Sequence, residues 1–261
     1  MTQGNLIVAG IGPGKFEQMT VACAEALKNC DCIVGYEVYI ELVKSHFGEK
    51  EFITTPMRKE EERCRLALEE AAKGKRVVFI CSGDAGVYSM SGLIYEIFAK
   101  ACEERGEEFK NIKISVLPGI TAALSGSALL GAPLIHDFAV ISLSDLMTPW
   151  EKIEKRLDSA ARADFCIVMY NPMSHKRKDY LFKACTVLLK TLGENTPCGY
   201  ARNIGREGEE CEILTLKELA TAELDMFTTV FVGNSETKVI ETPQGKKLVT
   251  PRGYAFERKE L

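Results

Sequence analysis

No apolar run in this 261-residue chain approaches the roughly 20 residues that a membrane-spanning helix needs, which argues against a helical membrane protein. Positive charge is also short: 33 Lys and Arg stand against 37 Asp and Glu, a formal net charge of -4. That balance argues against a broad nucleic-acid-binding surface and leaves room only for a local basic pocket. Ten cysteines are present, yet none forms a C-x-x-C pair. Scattered from Cys23 to Cys211, several within apolar runs, they read as small buried hydrophobes; a metal or iron–sulfur site from Cys30 and Cys32 is the weaker reading. A G-x-S-x-G elbow is missing, which disfavours a Ser–His–Asp hydrolase. His46 and His136 lack the spacing of metal ligands, and no metal is expected. Met1-Thr2-Gln3-Gly4-Asn5 does not have the charged-then-apolar layout of a signal peptide, so a reduced, cytoplasmic protein is expected. Low-complexity segments and sequence repeats are absent too. A composition of 46% hydrophobic and 27% charged residues is that of an ordinary globular enzyme, long enough for one large or two modest domains.

What is present begins at Gly10-Ile11-Gly12-Pro13-Gly14, directly after the apolar run Leu6-Ile7-Val8-Ala9. A strand followed by a glycine loop brings backbone close to a ligand at the strand's carboxyl end. Two familiar phosphate loops do not fit. A dinucleotide fingerprint needs a third glycine where Lys15 stands, and a P-loop needs four residues between its glycines and a Ser or Thr after its lysine. Pro13 removes a backbone donor that a phosphate would want. The expected ligand is not a phosphate.

The first half alternates β-rich runs with amphipathic stretches. Strands are expected at Leu6–Ala9, Cys32–Val34, Glu51–Thr54, Val77–Cys81 and Lys113–Leu117, with helices near 18–29, 36–47, 59–73 and 87–104. Runs that are apolar on both faces predict a mainly parallel sheet covered by helices. Pro118-Gly119 is a hinge candidate, dividing the chain into domains 1–117 and 118–261. Beyond it the pattern predicts helices near 120–130 and 178–191. Strands are predicted at Ala139–Leu143, Phe165–Tyr170, Cys198–Ala201, Cys211–Leu214 and Thr229–Val232. Thr148-Pro149-Trp150-Glu151 and Thr215-Leu216-Lys217-Glu218 both read as capping boxes that open helices, the first leaving 144–148 as a tight loop.

Four post-strand loops are rich in small or turn-forming residues: Gly10–Gly14, Ser82-Gly83-Asp84-Ala85-Gly86-Val87-Tyr88, Pro118-Gly119-Ile120-Thr121-Ala122-Ala123 and Tyr170-Asn171-Pro172. One alone reads as a plain turn; four at strand ends point to a shared site. Together they resemble the tetrapyrrole methylase family. Its first loop reads glycine-x-glycine-proline-glycine, as at Gly10–Gly14, and its proline-glycine-x-threonine/serine-x-alanine turn is matched at Pro118–Ala123. Its glycine-glycine-aspartate-proline signature appears as Ser82-Gly83-Asp84-Ala85, departing at both ends. Leu143–Trp150, Tyr170-Asn171-Pro172 and Ala201–Arg206 resemble the branch acting at carbon 17 of precorrin-3B or cobalt-factor III. Alternatives are a carbon-11 or carbon-20 methylase, a uroporphyrinogen III methylase, or a diphthine synthase-like protein methylase. Siroheme-type enzymes tend to carry tyrosine-methionine-glycine where Tyr170-Asn171-Pro172 stands, which counts against them.

The resemblance implies an α/β protein of two α/β domains with a cofactor cleft between them, as in class III methyltransferases. It further implies a cytoplasmic homodimer that binds S-adenosylmethionine and methylates a tetrapyrrole with ring contraction. By the same carry-over, Gly12, Pro13, Gly83, Asp84, Val87, Thr121, Ala122, Asn171, Asn203, Ile204 and, more weakly, Thr229 would contact the cofactor. Asp84 is the natural acceptor for an ammonium or hydroxyl. Asp145, with Ser144 beside it, is the candidate for proton handling, although a turn alone would also explain Asp145. The substrate's carboxylates call for basic partners. Lys176 and Arg177, within the His175–Lys178 cluster, are the first candidates, then Arg202 and Arg206, with Arg58 and Lys59 weaker.

Overall fold

The computed structural model describes residues 3–174 and 178–254. They form two compact units, the first ending at Ala122 and the second beginning at Ala123. Chain order in the first is β1 (Asn5–Gly10), α1 (Val21–Asn29), β2 (Cys32–Tyr36), α2 (Glu37–Lys44), β3 (Glu51–Thr55) and α3 (Glu60–Ala72), then β4 (Arg76–Cys81), α4 (Ser91–Arg105), α5 (Glu107–Lys110) and β5 (Lys113–Leu117). The sheet runs β3-β2-β4-β1-β5, and every pairing is parallel. Successive residues of β4 explain its unbroken apolar sequence. Val77, Phe79 and Cys81 enter one core with Leu68 and Ile94, while Val78 and Ile80 enter the opposite core with Leu27 and Ile40. β4 is buried on both faces, so period-2 polarity has no place in it, whereas the edge strands β3 and β5 are partly exposed.

The second unit opens with α6 (Ala122–Leu130), β6 (Gly131–Ala132), β7 (Phe138–Ser142), α7 (Trp150–Arg162), β8 (Cys166–Tyr170) and α8 (Tyr180–Leu188). It continues with β9 (Pro197–Arg202), β10 (Glu210–Thr215), α9 (Leu216–Leu219), β11 (Thr228–Val232), β12 (Lys238–Thr242) and β13 (Gly245–Val249). Its main sheet, β10-β9-β11-β8-β7, is mixed: β7 and β8 run parallel and the other pairings are antiparallel. A smaller sheet, β12-β13-β6, is held by a chain of buried polar groups. In it Thr237 and Thr250 hydroxyls meet at 2.8 Å, the Thr250 hydroxyl donates to the Pro133 carbonyl at 2.8 Å, and the Cys166 thiol lies 3.3 Å from Thr250.

One expected feature is overturned. Thr148 is not the cap of a box. Pro149 has ψ 143°, which keeps it outside the helix as the N-cap itself, and no side chain caps that end. The helix therefore starts at Trp150, Glu151 falls at its second position, and the Thr-to-Glu spacing is out of register by one. At Thr215 the spacing is right, and the box closes in both directions. Burial of the cysteines follows the plain reading at eight of the ten; Cys102 is half-buried and Cys211 exposed.

Candidate functional site

β4, β1 and β5 are adjacent strands, so their trailing loops emerge side by side at one sheet edge. Their backbones lock together. Gly12 N–H donates to the Gly83 carbonyl (3.0 Å) and Gly83 N–H donates back to Gly12 (2.8 Å), an antiparallel bridge between two loops. Both glycines sit in the left-handed region, at φ +76° and +69°. A side chain at Gly10 would come 2.6 Å from the Gly83 carbonyl oxygen, and one at Gly119 would collide with the same oxygen. Within these loops Pro13 and Ala85 are buried.

Asp84 ties the cluster together. Its Oδ1 accepts from Gly86 N–H (2.7 Å) and Val87 N–H (3.1 Å), and its Oδ2 accepts from Gly119 N–H (2.9 Å). A carboxylate offers about four acceptor positions, so about one remains for a ligand's ammonium or hydroxyl. Thr121 and Ala122 are half-buried beside Gly83, whereas Val87, Tyr88 and Ile120 expose apolar surface at the same edge. Tyr88 holds φ +51°, a conformation that a bulky side chain rarely adopts. At the end of β4 burial pushes the Cys81 thiol up, which keeps it protonated and unreactive.

In the second unit the parallel strands β7 and β8 bring their carboxyl ends together. Asn171, at φ +54°, donates from Nδ2 to the Ser142 hydroxyl (3.0 Å), and Ser144 N–H donates to the same oxygen (3.2 Å). The Tyr180 hydroxyl donates to Asp145 Oδ2 at 2.5 Å, and the Tyr180 ring packs on Trp150 with centroids 4.8 Å apart. Ser144 and Asn171 thus converge on the Ser142 hydroxyl, while Asp145, next to Ser144 in sequence, pairs with Tyr180. Sequence reasoning missed both Ser142 and Tyr180; Tyr180 lies 35 positions from its partner with no local signal. Asn203, at φ +51°, is anchored by its N–H to the Phe227 carbonyl (3.2 Å), with buried Ile204 next to it. Arg206 stacks on the Phe227 ring, its guanidinium carbon 6.0 Å from the centroid.

Two candidates are engaged inside their own unit. Arg202 pairs with Glu210 (2.8 Å), donates to the Glu223 carbonyl (2.9 Å) and lies 3.6 Å from Asp225. Thr229 is buried in β11, paired in register with Ala201. Lys176 and Arg177 lie outside the described residues. A groove of about 650 Å³ opens past Tyr170-Asn171-Pro172, lined by Met173, Lys178, Phe182 and Leu224 among others, but it includes none of Ser144, Asp145 and Asn171.

Comparison with known proteins fits this geometry. The family described as Tetrapyrrole (Corrin/Porphyrin) Methylases matches residues 5–220. The chain is 42% identical over 252 residues to a cobalt-factor III methyltransferase of Priestia megaterium, covering 97% of this chain but only 45% of that longer protein. It is 43% identical to a probable cobalt-factor III C(17)-methyltransferase of Salmonella typhimurium, covering 96% of this chain and 100% of the relative. Among solved structures, the methyltransferase CobJ superposes with a TM-score of 0.83 at 36% identity, covering 95% of this chain and 100% of that one.

Proposed function

The chain belongs to the tetrapyrrole (corrin/porphyrin) methylase family, and on that premise we propose that it moves the methyl group of S-adenosylmethionine to carbon 17 of a corrin precursor in cobalamin biosynthesis. The acceptor is cobalt-factor III or its metal-free counterpart precorrin-3B, and transfer accompanies contraction of the macrocycle. The observation that carries this reading is the nest of three glycine loops at the carboxyl ends of β4, β1 and β5, the edge where open parallel sheets hold their ligands.

S-adenosylmethionine fits what that nest offers: small residues, backbone groups at close approach, exposed Val87 and Ile120 for an apolar portion, and one spare acceptor position on Asp84. The cofactor supplies an already activated methyl group, so no strong protein nucleophile is needed. The chain's own contribution is orientation and exclusion of water. Gly12, Pro13, Gly83 and Val87 line the cofactor, Asp84 accepts from its ammonium or a ribose hydroxyl, and Thr121 and Ala122 add a hydroxyl and backbone groups. Asn171, Asn203 and Ile204 serve the adenine. Arg202, already paired with Glu210, and Thr229, buried in β11, have less claim on a ligand. Asp145 holds the proton that moves during contraction, oriented by Tyr180 and flanked by Ser144. Arg206, Lys176 and Arg177 are the basic residues assigned to the substrate's carboxylates, the latter two lying outside the described residues. We place the protein in the cytoplasm as a homodimer; no described helix is long and apolar enough to cross a membrane.

The deciding experiment is anaerobic incubation with S-adenosylmethionine and, separately, cobalt-factor III and precorrin-3B, followed by mass spectrometry. Gain of one methyl group is the expected result, and the preferred acceptor identifies the pathway branch. Cofactor binding without methyl gain on either acceptor would overturn the carbon-17 assignment.

A further inference from the structure

Arg63 is a buried arginine whose charge meets only one distant carboxylate, at the ligand edge of the first unit. It projects from the first turn of α3 and is only 5% exposed. Neutral groups hold one of its terminal nitrogens: Nη1 donates to the Thr55 hydroxyl (2.6 Å), the Thr55 carbonyl (3.2 Å) and the Pro56 carbonyl (3.4 Å). The guanidinium carbon lies 5.7 Å from the centroid of the Tyr36 ring. Among the described residues Nε and Nη2 donate no hydrogen bond, and the nearest carboxylate, Glu60, is 4.0 Å from Nη2 and 43% exposed at its side chain. A buried cation without a close anion is costly, and neutral carbonyls offset only part of that cost. The Nε–Nη2 edge left over is one that grips a carboxylate with two parallel hydrogen bonds.

The position is informative as well. Tyr36 and Thr55 are the last residues of β2 and β3, so Arg63 sits at the same carboxyl edge as the glycine loops. It stands one to two strand spacings from β4, about 5–10 Å, and within electrostatic reach of Cys81, the last residue of that strand. The preceding loop carries Arg58 at φ +66° and Lys59, the latter paired with Glu62 at 3.0 Å. This is beside the loop nest, not inside it, where a wide, carboxylate-bearing ring would extend past the cofactor.

We propose that Arg63, held by Thr55 and Pro56 beneath the β3–α3 corner, is a carboxylate subsite that receives an acetate or propionate side chain of the tetrapyrrole. The assignment rests on the methyltransferase reading above. Its test is steady-state kinetics of the full chain with cobalt-factor III and precorrin-3B, varying acceptor and S-adenosylmethionine separately. Arg63→Gln is expected to raise the KM of the acceptor about tenfold or more while leaving the KM of the cofactor within about twofold. Arg63→Lys, which keeps the charge but loses the fork, gives a smaller rise and serves if the glutamine variant does not fold. Glu60→Gln leaves the acceptor KM near the wild-type value. If Glu60→Gln matches Arg63→Gln, Glu60 is the true partner and the subsite is refuted. An equal rise in cofactor KM would assign the arginine to the cofactor's own carboxylate, and an unchanged acceptor KM would leave Arg63 purely structural. Wild-type protein that methylates neither acceptor overturns the functional reading itself, and the subsite with it.

Discussion

Asp84→Asn separates two roles that the same aspartate could have in this fold. As a loop tether it accepts three backbone N–H groups from two loops, those of Gly86, Val87 and Gly119. Asparagine retains one carbonyl oxygen for Gly86 and Val87, but its amide nitrogen then faces the Gly119 N–H, donor against donor. The bond lost is charge-assisted and partly buried, and Gly119 cannot easily turn elsewhere because it packs on Gly10 and Gly83. The expected cost is about 1–3 kcal/mol. For a protein of this size that lowers the melting temperature by about 3–10 °C.

A tether and a ligand contact leave different signatures. Thermal melts and calorimetric titration with S-adenosylhomocysteine, done on the same preparation, read both. A tethering aspartate loses stability and affinity together, with affinity falling about tenfold as the loops loosen. An aspartate that only touches the cofactor loses affinity and keeps its melting temperature. A melting temperature within about 1 °C of wild type would refute the tether, whatever happens to binding.

Further expectations follow from single contacts. Gly119→Ala forces a methyl group into the Gly83 carbonyl oxygen and should abolish cofactor binding; Gly92→Ala, with open space around it in α4, should instead stabilise by up to about 1 kcal/mol in thermal melts. Tyr180→Phe removes the donor to Asp145 and should lower kcat about tenfold and displace the pH profile of turnover, with cofactor affinity unchanged; an unaltered kcat and profile would remove the pair from proton handling. Arg76 holds the Asp31 carboxyl at about 2, chiefly through a side-chain hydrogen bond. Because the folded value is depressed, that stabilisation is complete above the unfolded value of about 3.9 and fades as pH falls toward 2. With side chains 40% and 60% exposed, solvent screens most of the pair's contribution. Asp31→Asn should therefore lower the melting temperature slightly at pH 7, and by less at pH 3.

The legible parts of the fold are those in which each residue's neighbours are dictated by period and punctuation. Val77–Cys81 read as a strand covered on both sides because burial on two faces removes all polar alternation. The β12–β13 hairpin escaped because its sequence carries almost no such pattern: Lys238–Ile240 are exposed, and of the ten strand residues only Leu248 is fully buried. Its attachment comes from Thr237, Thr250 and Pro133, positions far apart in sequence. Strand direction in the second sheet was equally hidden. β11, buried along its whole length, looks like a parallel strand yet pairs antiparallel with both neighbours. Helix α7 shows how a single dihedral decides a motif, since an extended Pro149 displaced the whole capping register by one residue.

The candidate site divides along the same line. Glycines announce themselves, because Gly12 and Gly83 need positive φ and Gly10 and Gly119 leave no room for a side chain. Asn171 and Asn203 also stood out, as amides suited to a ligand. Both hold left-handed φ, which asparagine tolerates better than most residues, so each has a backbone reason to be there that is independent of any ligand. Arg63 is the reverse case. Following Glu60-Glu61-Glu62, it has the look of one more charge on a solvated helix start, and nothing within the helix marks it out. Thr55 and Pro56, arriving from β3, and the Tyr36 ring take it out of water and leave its Nε–Nη2 edge with no carboxylate closer than Glu60 at 4.0 Å. Sequence pattern thus finds the residues whose backbone is special. A residue whose charge is special emerges only when the chain's other segments remove the solvent around it, and there a buried, half-satisfied guanidinium is a stronger pointer to a ligand than any of the exposed basic residues that outnumber it.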